Sequence, residues 1–160
     1  MGSPFVYDKA KYHLESVEEF GLEEEQSCVH IALYLQWIMD KELYSEEFSE
    51  QTDEFRQFRN TPVTALEIAY EGWDGCLIDD MLNEEGNAFS AIYFEQQYYE
   101  DVGAVAEGLP SVYHLEFRQD NYLKLQPLID KAYAEWKLKQ AVDATPTAPA
   151  SQPKPWWKLW

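Results

Sequence analysis

Residues 23–43 read EEEQSCVHIALYLQWIMDKEL, and this stretch decides the fold. Val29, Ala32, Leu33 and Trp37 recur at helical spacing, and Ile31, Leu35 and Ile38 fill most of the remaining circumference. A helix apolar on nearly every side belongs in the middle of a core. Glu23 to Glu25 stand at the positive end of its dipole and Lys41 at the negative end, the arrangement that helix electrostatics favours.

Working outward, Ser45 offers an N-cap hydroxyl, and Phe48, Thr52, Phe55 and Phe58 follow at helical intervals. A second helix with one buried stripe and an acidic outer face is expected there. Thr61-Pro62 marks the start of a third helix, running to about Tyr70 and ended by Gly72-Trp73-Asp74-Gly75, because a cap residue followed by Pro suits a first turn. Asn83 to about Tyr99 carries Phe89, Ile92, Tyr93 and Gln96 at helical spacing, with Gly86 weakening its first turns. Asp101–Pro110 reads as a loop, and Ser111–Phe117 alternates as a short strand. A last helix runs from near Asn121 to Lys139, with Leu125, Ile129, Ala132 and Trp136 on one face and Pro127 starting or kinking it. The expectation is a mainly α, single-domain bundle of about five or six helices, with at most a short strand near 111–117 and a disordered C-terminal tail.

The tail is compositionally distinct. The acidic helical domain covers residues 1–142, a Pro/Ala/Thr-rich linker covers 143–155, and 156–160 (WWKLW) form a docking peptide carrying Trp156, Trp157 and Trp160. The linker composition stays extended, while each ring gains roughly 1.5–3 kcal/mol on burial, so a receiving surface is expected. It belongs to this chain, to a second copy in a homo-oligomer, or to another protein.

Charge narrows the partners. The net charge is −18, and residues 1–116 hold 26 acidic against 5 basic side chains. Such a body repels nucleic-acid phosphate and anionic lipid, and attracts a basic protein. No apolar run reaches the roughly 18–20 residues that span a bilayer, and the N-terminus lacks a signal-peptide pattern. A cytoplasmic protein is expected, with Cys28 and Cys76 reduced.

Catalytic signatures are sparse. His13, His30 and His114 form no His-x-x-x-His pair and join no Cys pair, and neither a phosphate loop nor a nucleophile elbow is present. Each His reads as a hydrogen-bonded core histidine, with His30 or His13 beside a carboxylate as the one enzyme-like alternative. Asp79, Asp80, Glu84 and Glu85 form an acidic run in which Asp80 and Glu84 share a helix face. It reads as a solvated edge, with a hard cation as the sharper alternative. The stronger constellation interleaves rings with acids: Trp73-Asp74, Tyr93-Phe94-Glu95 and Tyr98-Tyr99-Glu100-Asp101. Aromatic anchors among carboxylates suit a Lys- or Arg-rich surface.

Five strings carry a resemblance. They are Tyr7-Asp8-x-Ala10-x-x-His13, His30-Ile31-x-Leu33-Tyr34-Leu35-x-Trp37, Asn83-Glu84-Glu85-Gly86-Asn87-Ala88-Phe89, Ser111-x-Tyr113-His114 and Tyr133-x-Glu135-Trp136. They resemble a family of small acidic bacterial proteins of unknown function, across about residues 7–137. The resemblance transfers no catalytic role, and an immunity-protein role follows from it by analogy only. The functional expectation is a non-catalytic immunity protein that neutralises a basic toxin domain, with no cofactor or metal assigned. The partner-binding residues are Trp73, Asp74, Asp79, Asp80, Glu84, Glu85, Tyr98, Tyr99, Glu100 and Asp101. The alternatives are an adaptor docking through its tail, and a small hydrolase or metal-dependent enzyme.

Overall fold

Val29–Asp40 forms the central helix, α2, and Ile31 through Leu35, Trp37 and Ile38 are fully buried in the computed structural model, which describes residues 4–144. The turn before it, Glu24–Cys28, is 3-10 rather than α. The chain order around α2 is strand β1 (Val6–Lys9), a 3-10 turn (Ala10–His13), α1 (Leu14–Glu19), then α3 (Glu46–Arg59), the short α4 (Ala65–Glu67) and β2 (Cys76–Ile78). After these come α5 (Glu84–Tyr93), α6 (Tyr99–Val105) and α7 (Gln119–Ala144). The protein is mainly helical, as its periodicity requires.

Ser45 caps α3 by accepting from the Phe48 amide at 3.0 Å. The apolar stripe of α3 is buried only in its first half: Phe48 and Thr52 are interior, whereas Phe58 is 87% exposed. The third helix starts later than Thr61-Pro62 predicts. Thr64 and Glu67 form a reciprocal capping box, and the helix continues as a π turn over Ile68–Gly72, so the Thr-x-x-Glu spacing outranks the Pro signal. Gly86 acts as a point of close approach. A Cβ there would lie 2.5 Å from the Leu43 carbonyl oxygen, and only a glycine lets the start of α5 rest on the chain leaving α2.

Among the described residues the two-stranded sheet pairs β1 with β2 antiparallel, with Asp8 opposite Leu77 and Lys9 opposite Cys76. An irregularity between Val6 and Asp8 breaks the strict alternation of a strand. Its effect is that Tyr7 and Asp8, neighbours in sequence, are both buried. The turn into β2 passes through Gly75 at φ +68°, where a Cβ would lie 2.8 Å from that of Ala10, and the Ala10 amide donates to the Gly75 carbonyl at 2.8 Å. That contact fixes the turn carrying His13. The strand expected near 111–117 is instead a 3-10 turn, Val112–His114, because the Ser111 hydroxyl accepts from the Tyr113 amide and bends the chain.

The helix expected over 83–99 runs on past it. A π turn at Phe94–Tyr98 joins α5 to α6, so helical structure reaches Val105 and takes up the first half of the segment 101–110 expected as a loop. The wide turn shifts the phase of the side chains that follow it, and Tyr98 and Tyr99 both reach toward α2 and β1. Pro127 lies inside α7. This helix continues to Ala144, the last described residue and two residues into the expected linker, and the docking peptide with Trp156, Trp157 and Trp160 lies outside the described residues.

Candidate functional site: a buried Asp-His-His-Tyr cluster and an aromatic groove

Asp8 on β1, His13 at the end of the first 3-10 turn, His30 on α2 and Tyr99 opening α6 converge on one point. His13 Nε2 lies 2.8 Å and 3.0 Å from the two Asp8 carboxylate oxygens, and His30 Nε2 lies 2.7 Å from Oδ2. Tyr99 donates its hydroxyl to the same Oδ2 at 2.5 Å, and the Lys9 amide donates to Oδ1 at 2.8 Å. The two imidazoles meet edge to face with centroids 4.7 Å apart. On the far side of His13, Nδ1 is 2.7 Å from the Tyr113 hydroxyl, which also bonds with Ser16. The backbone of His30 is held as well, its carbonyl accepting from Tyr98 at 2.5 Å.

The electrostatics follow from this geometry. Burial pushes the Asp8 carboxyl up, but hydrogen bonds from His13, His30 and Tyr99 outweigh it and hold the group below the usual carboxylate range. Burial lowers His30 against the opposing pull of Asp8. Burial, helped by the Asp8 charge, pushes the Cys28 thiol up to about 12, so this cysteine is no nucleophile near neutral pH. Asp8 and His30 are interior, while the His13 side chain is 16% exposed and gives the cluster its opening to the surface. One oxygen or nitrogen from each of Asp8, His13 and His30 lies within 4.8 Å of the others, a donor set that fits a metal ion.

A second feature lies on α3. Phe55, Phe58, Ile68 and Trp73 line a groove of about 430 Å³ together with Glu54 and Gly72. The Thr52 hydroxyl, also in the lining, is buried and has no hydrogen-bond partner among the described residues. Trp73 is anchored by stacking on Phe48 with centroids 5.7 Å apart. Exposed Glu50 lies on α3, four residues before Glu54, and exposed Asp74 follows Trp73 in sequence.

The structure separates the predicted partner-binding residues. Trp73 lines the groove and is half-buried, while Asp74, next in sequence, is exposed and outside the lining. Tyr98 and Asp101 are interior and offer a partner no surface: Asp101 accepts from Tyr93 at 2.5 Å, and Tyr98 is spent on His30. Tyr99 keeps 40% exposure but commits its hydroxyl to Asp8, and Glu100 is exposed beside it. Asp80 and Glu84 do not share a helix, since Asp79–Met81 is a 3-10 turn and Leu82 is extended. Asp79 instead accepts from the Phe5 amide at 3.0 Å, and Glu85 accepts from Tyr133 and pairs with Lys137. Asp8 is the residue that sequence reasoning missed. Its signal was the string Tyr7-Asp8-x-Ala10-x-x-His13, whose Asp and His lie five apart and meet.

A family model described as a domain of unknown function, DUF7832, matches residues 6–115. That span contains the whole Asp8 cluster and the groove, whereas the Tyr133-x-Glu135-Trp136 string and α7 lie beyond it. No curated protein matches the chain, and no solved structure does.

Proposed function

The chain belongs to the DUF7832 family, and from that premise we propose that it is a non-catalytic binding protein, an immunity protein whose acidic surface and α3 groove neutralise a basic toxin domain. The observation that carries the reading is the groove itself. Apolar rings stand open beside carboxylates, in a body where residues 1–116 hold 26 acidic and 5 basic side chains. A cationic partner is steered in by the field and then held by an apolar side chain seated between Phe55, Phe58 and Trp73. The unpartnered Thr52 hydroxyl supplies a hydrogen bond for a polar group of that ligand.

The test places a photo-reactive phenylalanine at position 54 of the full chain in living cells. The expected product is a crosslink to a protein of net positive charge, one toxic to the host when expressed alone and harmless beside this chain. The crosslink falls at least about tenfold when Phe58→Ser is added, the scale of a lost anchor. A crosslinked partner that is acidic, a crosslink unchanged by Phe58→Ser, or a crosslink only to residues 145–160 of the chain contradicts the reading. The last of these outcomes supports the adaptor alternative, in which the Trp tail docks on its own chain or a second copy.

An enzymatic reading has one observation in its favour, the convergence of Asp8, His13 and His30. An Asp-oriented imidazole with some exposure has the build of a general base. His13→Gln then abolishes activity while circular dichroism shows the chain still folded.

A further inference from the structure

Three separate segments bring two imidazoles and a carboxylate into the interior, where apolar side chains of the same volume pack at lower cost. Five polar side chains meet there, counting the Tyr99 and Tyr113 hydroxyls. We propose that Asp8, His13 and His30 form a binding site for a first-row divalent transition-metal ion, with zinc(II) as its best-matched occupant. The proposal does not rest on the partner-binding reading.

The donor set argues for this class of ion. Two imidazole nitrogens with one carboxylate oxygen suit a borderline metal such as zinc, iron(II) or cobalt(II), whereas calcium and magnesium take mainly oxygen. The Nε2 atoms of His13 and His30 and an Asp8 oxygen lie within 4.8 Å of one another. Both Nε2 atoms face the Asp8 carboxylate, at 2.8 Å and 2.7 Å, so a point between the three groups is opened by a shift of that carboxylate. An ion at that point replaces the two imidazole-carboxylate hydrogen bonds and leaves coordination positions open toward the side where His13 is exposed.

The surroundings have the form of an outer shell. Metal-bound histidines have the remaining ring nitrogen held by a hydrogen-bonding partner, and bound carboxylates are themselves hydrogen-bonded. Tyr113 faces Nδ1 of His13 at 2.7 Å, and Tyr99 donates to Asp8 at 2.5 Å. A phenol hydroxyl is both donor and acceptor. Tyr113 therefore accepts from Nδ1–H when Nε2 gives its lone pair to the metal, and donates to Nδ1 when Nε2–H faces Asp8. The same cluster is thereby stable empty and filled, without net proton release from His13.

The test uses the full chain without an affinity tag, stripped with a chelator and titrated with zinc chloride by calorimetry. One zinc ion per chain with submicromolar affinity and a raised Tm is expected, and cobalt(II) in its place gives the visible absorption of a site with bound nitrogen. His13→Gln weakens zinc binding by at least about 100-fold, and Tyr113→Phe weakens it by about tenfold through the lost outer-shell bond. His114→Ala leaves binding unchanged. Should a variant fold poorly by circular dichroism, histidine nitrogen NMR of the wild-type chain decides: zinc shifts Nε2 of both His13 and His30. No zinc binding at millimolar concentration, full affinity in folded His13→Gln, or unshifted His13 and His30 signals overturns the proposal.

Discussion

Asp8 and His30 stand 22 positions apart in the chain and 2.7 Å apart in the interior, tying the short sheet to the central helix. Asp8 is 3% exposed and accepts from four donors, so its charge is compensated only while those donors surround it. Asp8→Asn removes the charge and forces one of its amide N–H groups against an imidazole N–H. A loss of about 3 kcal/mol is expected, the scale for breaking a buried charged network. Tyr99→Phe removes a single bond to the same oxygen and costs about 1.5 kcal/mol. Urea unfolding near neutral pH measures both, and an Asp8→Asn midpoint equal to wild type contradicts the account.

Gly86 and Gly103 both lie in helices but face opposite demands. A Cβ on Gly86 strikes the Leu43 carbonyl, whereas one on Gly103 meets nothing within 4 Å. Gly86→Ala should cost about 2 kcal/mol or more through backbone displacement, and Gly103→Ala should stabilise α6 by up to about 1 kcal/mol. Thermal unfolding of the two variants separates them by the sign of the change in Tm.

The buried tyrosines set an alkaline limit on the fold. Burial raises Tyr34 and Tyr93, and Asp101 raises Tyr93 further. Burial, with Asp40 beside it, raises Tyr122. Each releases its proton more readily unfolded, so its stabilising contribution is complete below a pH of about 10 and is lost as pH rises beyond that value. Phenolate absorbance from these three residues should therefore appear in step with loss of helical circular dichroism. Smooth ionisation with helix intact contradicts the assignment.

What the sequence disclosed depended on the range of each signal. The periodicity of α2 is local and dense, so its central burial was legible, as were the Ser45 cap of α3 and the acidic body. The sheet was not legible, because Val6–Lys9 and Cys76–Ile78 are too short to alternate visibly and an irregularity lets Tyr7 and Asp8 share the interior. The cluster inherits that difficulty. His13 and His30 read as isolated core histidines until the sheet sets Asp8 between them. Tyr98 and Asp101 read as partner-facing surface, Tyr98 near the end of an expected helix and Asp101 in a loop, but the π turn over Phe94–Tyr98 and the helix after it leave both buried.

Phe48 and Phe58 are ten positions apart on α3 and differ in role. Phe48→Ala should cost about 3–5 kcal/mol, since its ring is buried against Tyr44 and Trp73. Phe58→Ala should stay within about 0.5 kcal/mol of wild type, because its ring is mostly in solvent. Equal destabilisation by the two changes places Phe58 in the core and removes it as an anchor.

The central claim is that surplus carboxylate beside the α3 groove serves recognition. Its most direct measurement is the association rate of the crosslinked partner with wild-type chain and with Glu50→Lys/Glu54→Lys/Asp74→Lys, at low and high salt. The account predicts a rate at least about tenfold slower for the reversed chain at low salt, with the gap closing as salt screens the field. Equal rates for the two chains at low salt contradict it.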